Sequence, residues 1–293
     1  MPSSEGGIAL ADWIEASLLL QKQSRISDSA IEDALNEADV SDPDGSLASL
    51  TQTIQSRVRI VGGAYPFRRD GMGFVRRGSW SAYLPYSFML FASLNQHYEE
   101  LRYKGGTANK PSELFEHLTL MSLEKYFGCS VLRLGAPRRN PMPANFPDAL
   151  DYTVGQLGEA IGQRDLEDQK SGDDGVDVVG WLAFGDARAS QAIILAQCSI
   201  GNDWKDKRNS IDLDMWKRHI DWHSAPLRGF AIPFHMEAGG PWRETATRAG
   251  IVFDRLRIAR LIATEKLALK FSGELKAWCT ARGKAISKLA IDG

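Results

Sequence analysis

Two runs of the chain, Val176 to Phe184 and Ala192 to Cys198, are apolar at nearly every position, so neither alternating face of either run is suited to water. Strands of that kind belong in the middle of a sheet, with helices covering both sides. The link between them begins Gly185-Asp186-Ala187-Arg188 and is of hairpin length. This pair of runs therefore sets the expected class: an α/β (α+β) protein built around a helix-covered sheet. With 293 residues, 43% of them hydrophobic, the chain can close such a core without staples, as one large or two modest domains. Intrinsic disorder and a disulfide-held mini-protein are both excluded.

The surrounding pattern supplies the other layers. Ser112 is expected to cap a helix running to Tyr126-Phe127, with Leu114, Leu118, Met121 and Leu123 near one face and Gly128 as its stop. Cys129 to Leu134 reads as a strand, and Pro137, Pro141, Pro143 and Pro147 mark a loop. A helix over about 149–164 and a polar stretch over 165–174 precede the two apolar runs. Beyond them come a helix over about 211–220, strands at 230–234 and 250–253, and basic helical sequence to Ala290. Setting the 149–164 helix aside as an insertion, the order from Ser112 to Phe234 is α-β-β-β-α-β.

The first 55 residues read as helices: Leu10, Ile14, Leu18 and Leu19 fall at helical spacing, and Ser27-Asp28 precedes a run from Ala30 to Ala38. Asp42-Pro43-Asp44-Gly45 reads as a turn before a helix from about Leu47 towards Ile60. Between Arg77 and Glu99 there is no Asp, Glu, Lys or Arg, yet only about Ala82 to Leu94 is truly apolar, so a buried helix is expected rather than a membrane span. Cys129, Cys198 and Cys279 are far apart, and the first residues lack a basic signal-peptide region; a cytoplasmic location is the expectation.

Candidate chemistry concentrates where polarity interrupts the apolar runs. Asp177 stands one residue into the first run of Gly172-Asp173-Asp174-Gly175-Val176-Asp177, where a carboxylate is costly to desolvate, so it belongs at a strand mouth beside a cation. The second run ends in Gln197, whose amide oxygen would lie near Asp177 if the strands pair. Carboxylate and carbonyl oxygens are hard ligands, suited to Mg²⁺ or Mn²⁺ rather than zinc. His219 and His223 are four apart but lack the further ligands zinc requires, Cys198 lies where a thiol stays inert, and no phosphate-binding G-x-x-x-x-G-K loop is present.

Gly-Asp-Asp-Gly-Val-Asp, a hairpin, and an apolar strand ending in Gln197 together resemble the PD-(D/E)XK restriction-endonuclease-like superfamily, and its Mrr-like members in particular. Phe115-Glu116, in a helix ending before Gly128, is similar to the first helix of those nucleases, which supplies an extra acidic residue. The resemblance spans about Ser112 to Phe234. It implies an αβββαβ nuclease core, with Glu116, Asp177 and Gln197 holding one or two divalent cations, Mg²⁺ or Mn²⁺. The family's Lys, two residues after the Glu or Gln, is Ser199 here; Lys205 or Lys207 is the expected replacement, reaching back to hold the scissile phosphate.

The expected activity is divalent-metal-dependent DNA endonuclease, hydrolysing phosphodiester bonds in bacterial defence against foreign DNA. Its expected partners are DNA and either a second copy or a partner protein of a defence system. The alternative, motivated by Ser199 and the neutral Gln197, is a catalytically inactive nuclease-fold subunit that binds DNA or protein. Expected regions are a helical N-terminal region (1–105), the nuclease core (106–253) and a C-terminal helical extension (254–293). The formal net charge of −2 is a cancellation: residues 1–55 hold 2 basic and 10 acidic residues, and residues 254–293 hold 9 basic and 4 acidic. The expected nucleic-acid surface is the stretch holding Arg57, Arg59, Arg68, Arg69, Arg76 and Arg77, together with the basic C-terminal helices.

Overall fold

A computed structural model describes residues 7–102, 109–163 and 174–289. The chain runs α1 (Gly7–Leu20), β1 (Arg25–Ser27), α2 (Asp28–Glu37), α3 (Pro43–Val61), β2 (Phe67–Arg69), β3 (Gly73–Arg76), α4 (Leu84–Ser93), α5 (Asn109–Phe127), β4 (Ser130–Arg133), α6 (Phe146–Leu157) and β5 (Ala160–Ile161). It continues through β6 (Val178–Leu182), β7 (Ala192–Cys198), α7 (Trp204–Lys207), α8 (Leu213–His219), β8 (Ile220–Asp221), β9 (Leu227–Ala231), α9 (Gly240–Ala249), β10 (Ile251–Phe253), α10 (Arg255–Leu261) and α11 (Leu269–Leu289). Two compact units result: Met1–Lys104 with Pro233–His235 and Arg255–Gly293, and Gly105–Ile232 with Met236–Asp254. The fold is mixed α/β, and no described helix is long and apolar enough to cross a membrane.

In the first unit, Ser27 caps α2 by accepting a hydrogen bond from the Ala30 amide at 3.2 Å. Asp42 does the same for α3, accepting from Gly45 at 3.0 Å with Pro43 in the first turn. The Asp42–Gly45 turn expected from sequence is thus a helix start: Asp at N-cap and Pro at the first helical position satisfy the same local chemistry as a turn. β1, β3 and β2 form an antiparallel sheet in that order, burying Phe67 and Phe74 against the helices. α4 is buried all round, as its apolar run requires.

A charged cluster lies at the centre of this unit. The Arg57 guanidinium pairs with Asp12 at 2.8 Å and Glu15 at 2.5 Å, while Tyr65 and Tyr86 donate to Glu15 at 2.5 and 2.7 Å. Arg255, at the start of α10, pairs with Asp12, and all four charged side chains are fully buried. Burial alone would raise the Asp12 carboxyl, but Arg255 and Arg57 overcome it and hold it well below the usual carboxylate range. Burial and the Glu15 charge push the Tyr65 and Tyr86 hydroxyls up, so both act as donors. The segment after 254, expected as a separate extension, is therefore part of the first unit: Arg255 is buried there, Trp278 packs edge-on against Phe88 at 4.8 Å, and Arg282 donates to the carbonyls of Phe91 and Leu101.

The second unit carries a five-stranded sheet in the order β10-β9-β7-β6-β4. β4, β6 and β7 are antiparallel neighbours, whereas β7, β9 and β10 run parallel. α5 packs on one face, against β4, β6 and β7. On the other, Val179, Trp181, Ile193 and Leu195 join Phe146, Leu150 and Leu157 of α6 and Trp216 of α8 in one apolar cluster. Each such aliphatic side chain, fully buried, contributes roughly 1.5–3 kcal/mol. The two apolar runs therefore supply central strands, buried on both faces over Val178–Trp181 and Ile193–Gln197, whereas Leu182 and Phe184 at the end of the first run are exposed.

Local differences have local causes. α5 begins at Asn109, with Pro111 in its first turn, where its missing N–H costs nothing; Met121 is only partly buried while Phe115 is fully buried. α6 starts at Phe146, capped by Asn145, which accepts from the Asp148 amide at 2.9 Å, and stops at left-handed Gly158. The chain then enters β5, which pairs with β8, instead of continuing as helix to 164. α9, which crosses between the parallel strands β9 and β10, buries only Thr245 and Ala249, too small an apolar stripe to mark it in the sequence.

Candidate functional site

Three strands converge on Asp177. Its N–H donates to the Ala196 carbonyl at 2.9 Å, and its carbonyl accepts from the amides of Leu134 (2.8 Å) and Gly135 (3.0 Å). Its carboxylate Oδ2 accepts from the Cys198 amide at 2.7 Å. Just upstream, Asp174 and Gly175 both take positive φ (44° and 78°), turning the chain into β6. That turn is held by His219 Nε2 at 2.7 Å from the Asp174 carboxylate and by the Trp216 indole N–H on the Asp174 carbonyl. Gly172 and Asp173 of the sequence motif lie outside the described residues.

Glu116, in the buried first half of α5, brings a second carboxylate to the same place. A Cβ added at Gly135 would lie 2.6 Å from Glu116 Oε2 and 3.0 Å from Asp177 Oδ1. Only glycine admits both acids at this point, just past the end of β4. Both side chains are nearly enclosed, at 4% and 8% exposure. The cation paired with Glu116 is Arg133 on β4. Its Nε donates to Glu116 Oε2 at 2.6 Å and its Nη1 to the Pro137 carbonyl at 2.8 Å, while Nη2 is buried with no hydrogen-bond partner among the described residues. Burial, followed by the charges of Asp177 and Glu116, pushes the Cys198 thiol well up; a hydrogen bond with Thr119 and the Arg133 charge oppose this.

Gln197 stands next to the Val178–Ala196 pair in the ladder, at the level of Asp177. Its amide nitrogen, oriented to match its surroundings, donates to the carbonyls of Gly175 (3.1 Å) and Lys207 (3.2 Å) and to the Ser210 hydroxyl. Gln197 thus clasps the loop after α7. Lys205 and Lys207 lie on the short surface helix α7: Lys207 Nζ is 3.3 Å from Asp203, one turn back, and Lys205 Nζ lies 5.7 Å from the Trp204 ring centre. Among the described contacts, neither ammonium is paired with Asp177 or Glu116. An arginine inside the otherwise apolar 129–134 run was visible in the sequence by the same reasoning that singled out Asp177. Ser199 is fully buried, with its N–H on the Ala231 carbonyl.

The arginines expected to meet nucleic acid separate into two groups. Arg57 is fully buried in the charged cluster and presents nothing to solvent. Arg69 makes a two-pronged pair with Asp28 (2.5 and 2.6 Å) and stacks on Phe74, and Arg76 donates to the carbonyls of Leu19 and Lys22 at the end of α1. Arg59, Arg68 and Arg77 are exposed. His219 and His223 also part company: His223 Nδ1 lies 2.7 Å from Glu159, whose carboxyl burial would raise but hydrogen bonds from His223 and Ser190 lower. Among the described residues no group of three or more His, Cys, Asp or Glu is arranged to hold a metal ion. No family model, curated protein or solved structure matches the chain.

Proposed function

We propose that the second unit is a divalent-metal-dependent DNA endonuclease of the PD-(D/E)XK kind, hydrolysing phosphodiester bonds in bacterial defence against foreign DNA. The observation that carries this reading is the meeting of Glu116 Oε2 and Asp177 Oδ1 at Gly135, at the mouth of an α-β-β-β sheet arrangement. The donor chemistry fits Mg²⁺ or Mn²⁺, which are held by one or two carboxylates and complete their shell with water and phosphate oxygens. When bound, such a cation supplies charge neutralisation at the phosphodiester and an acidified water.

The chain's own residues have distinct tasks in this reading. The Cys198 amide and the backbone bonds of Asp177 fix its carboxylate so that Oδ1 faces Glu116. Arg133 neutralises Glu116 before the cation arrives. Gln197 holds the 207–210 loop beside the site. The test is conversion of supercoiled plasmid by purified protein with Mg²⁺ or Mn²⁺, compared with its Asp177→Ala and Glu116→Gln forms. Nicked or linear product from the parent, slowed at least about 100-fold in both variants, is expected; equal cleavage by the variants would sink the assignment.

A second reading is favoured by the engagement of Glu116 with Arg133 and by the surface pairing of Lys207: a nuclease-fold subunit that binds DNA or protein without cutting it. It predicts that the parent binds but leaves plasmid supercoiled at every divalent-ion concentration.

A further inference from the structure

The oxygen of Glu116 that meets Asp177 is already engaged. Glu116 Oε2 would lie 2.6 Å from a Cβ on Gly135, the point it shares with Asp177 Oδ1, and it is the same atom that accepts the Arg133 Nε–H at 2.6 Å. The Arg133 and Glu116 side chains are 9% and 5% exposed, so water screens this pair little. On its far side the guanidinium is anchored by the Pro137 carbonyl, 2.8 Å from Nη1. Further along, Arg139 Nε lies 2.5 Å from Glu113, which is nearly enclosed and three residues before Glu116 on α5. The 133–139 segment is thus strapped across two successive buried carboxylates of α5.

Building on the metal reading of this site, we infer that Arg133 is a built-in competitor of the cation, an autoinhibitory contact that must leave Glu116 Oε2 before a divalent ion can take that oxygen. Mg²⁺ sits about 2.1 Å from a carboxylate oxygen. With Arg133 Nε 2.6 Å from the same atom, ion and guanidinium would be at most about 4.7 Å apart, where little water separates them. Like charges that close repel strongly, and each lowers the site's affinity for the other. A guanidinium cannot shed its charge to make room, so it has to move. The strap can lift at its Arg139 end: that side chain is 55% exposed, and pairs open to water hold weakly. The site is closed by default and opens as the strap shifts. An arginine that merely held Glu116 in place for the metal would have the opposite effect on affinity.

The test titrates Mn²⁺ alone into the parent, Arg133→Met and Arg133→Gln proteins, followed by the free-ion electron paramagnetic resonance signal and by thermal unfolding. Both variants are expected to bind Mn²⁺ at least about tenfold more tightly than the parent. Without metal they are expected to melt below the parent, because two enclosed carboxylates lose a cation. At one fixed Mn²⁺ concentration their melting temperature is expected to rise by more than the parent's, as tighter binding to the folded state requires. Arg133→Gln keeps a hydrogen-bond donor without the charge and decides the matter if Arg133→Met does not fold. Saturable binding by the parent, with equal or weaker binding by the variants, would overturn this inference and leave the metal reading standing. Absence of binding from all three proteins would remove both.

Discussion

His235 makes the stability of the first unit sensitive to mild acid. Its ring is 6% exposed, and Nδ1 accepts the Arg57 Nε–H at 3.2 Å. A protonated Nδ1 has no lone pair to accept with, so this bond exists only for the neutral ring. Burial and the charges of Arg57 and Arg255, partly offset by Asp12, hold the imidazole down to about 3. The unfolded chain protonates this ring below about pH 6.5, whereas the folded chain waits until about 3. Between those values the unfolded state binds more protons, so the stability contributed by His235 is complete above about 6.5 and declines as pH falls. The decline is about 1.4 kcal/mol per pH unit, or about 2.7 kcal/mol between pH 6.5 and 4.5. Asp12 adds nothing in that window, because its unfolded carboxyl titrates at about 3.8 and its folded one lower still. His97, also held low by burial, adds a slope of the same sign that any His235 variant retains.

The perturbation is His235→Asn, whose carbonyl can accept from Arg57 and does not titrate. Urea unfolding across pH 7.5 to 4.5, followed by hydrogen exchange of α3 and α4 peptides, resolves this unit's own transition. The parent is expected to lose about 2–3 kcal/mol more than the variant over that range. Identical pH slopes in the two proteins would refute the argument, and with it the burial of a neutral His235 against Arg57.

Gly135→Ala would press a methyl group between Glu116 and Asp177, 2.6 and 3.0 Å from their oxygens; isothermal titration should show Mn²⁺ affinity reduced at least about tenfold, with a loss of stability of about 1–3 kcal/mol from the overpacking. Arg255→Met leaves the fully buried Asp12 and Glu15 to share Arg57 as their one remaining cationic partner in this cluster and is expected to cost about 3–5 kcal/mol in urea unfolding, far more than a surface arginine exchange. The Cys198 thiol, pushed up by burial and two carboxylates, should resist a maleimide at pH 8 in the folded protein and react on unfolding, with the modified residue located by peptide mass; rapid labelling of native Cys198 would contradict the geometry.

What the sequence made legible follows from the length and regularity of each signal. The central strands announced themselves because nine and seven consecutive positions are nearly all apolar, and Asp177 stood out as the exception. Arg133 obeys the same logic in a shorter strand, where one charge among six residues is easily read as a strand end. The small sheet of the first unit was hidden for a related reason: Phe67-Arg68-Arg69 and Gly73-Phe74-Val75-Arg76 alternate inward and outward, but three and four residues are too few to establish a period. Arginines there read as a solvated run, although Arg57, Arg69 and Arg76 turn inward to partners more than 40 positions away or at the end of another helix. Gln197 was legible as a buried amide beside Asp177, but its choice of the 207–210 loop depends on a tertiary contact that no local pattern encodes.

The central claim is that Glu116 and Asp177 act together as one oxygen site for a divalent cation. Titration of Mn²⁺ into the parent and the Glu116→Gln/Asp177→Asn protein, followed by the loss of the free-ion electron paramagnetic resonance signal, addresses it most directly. Saturable binding by the parent, absent from the doubly substituted protein while both melt alike, is the predicted result. Equal binding by both proteins, or none by the parent, would contradict it.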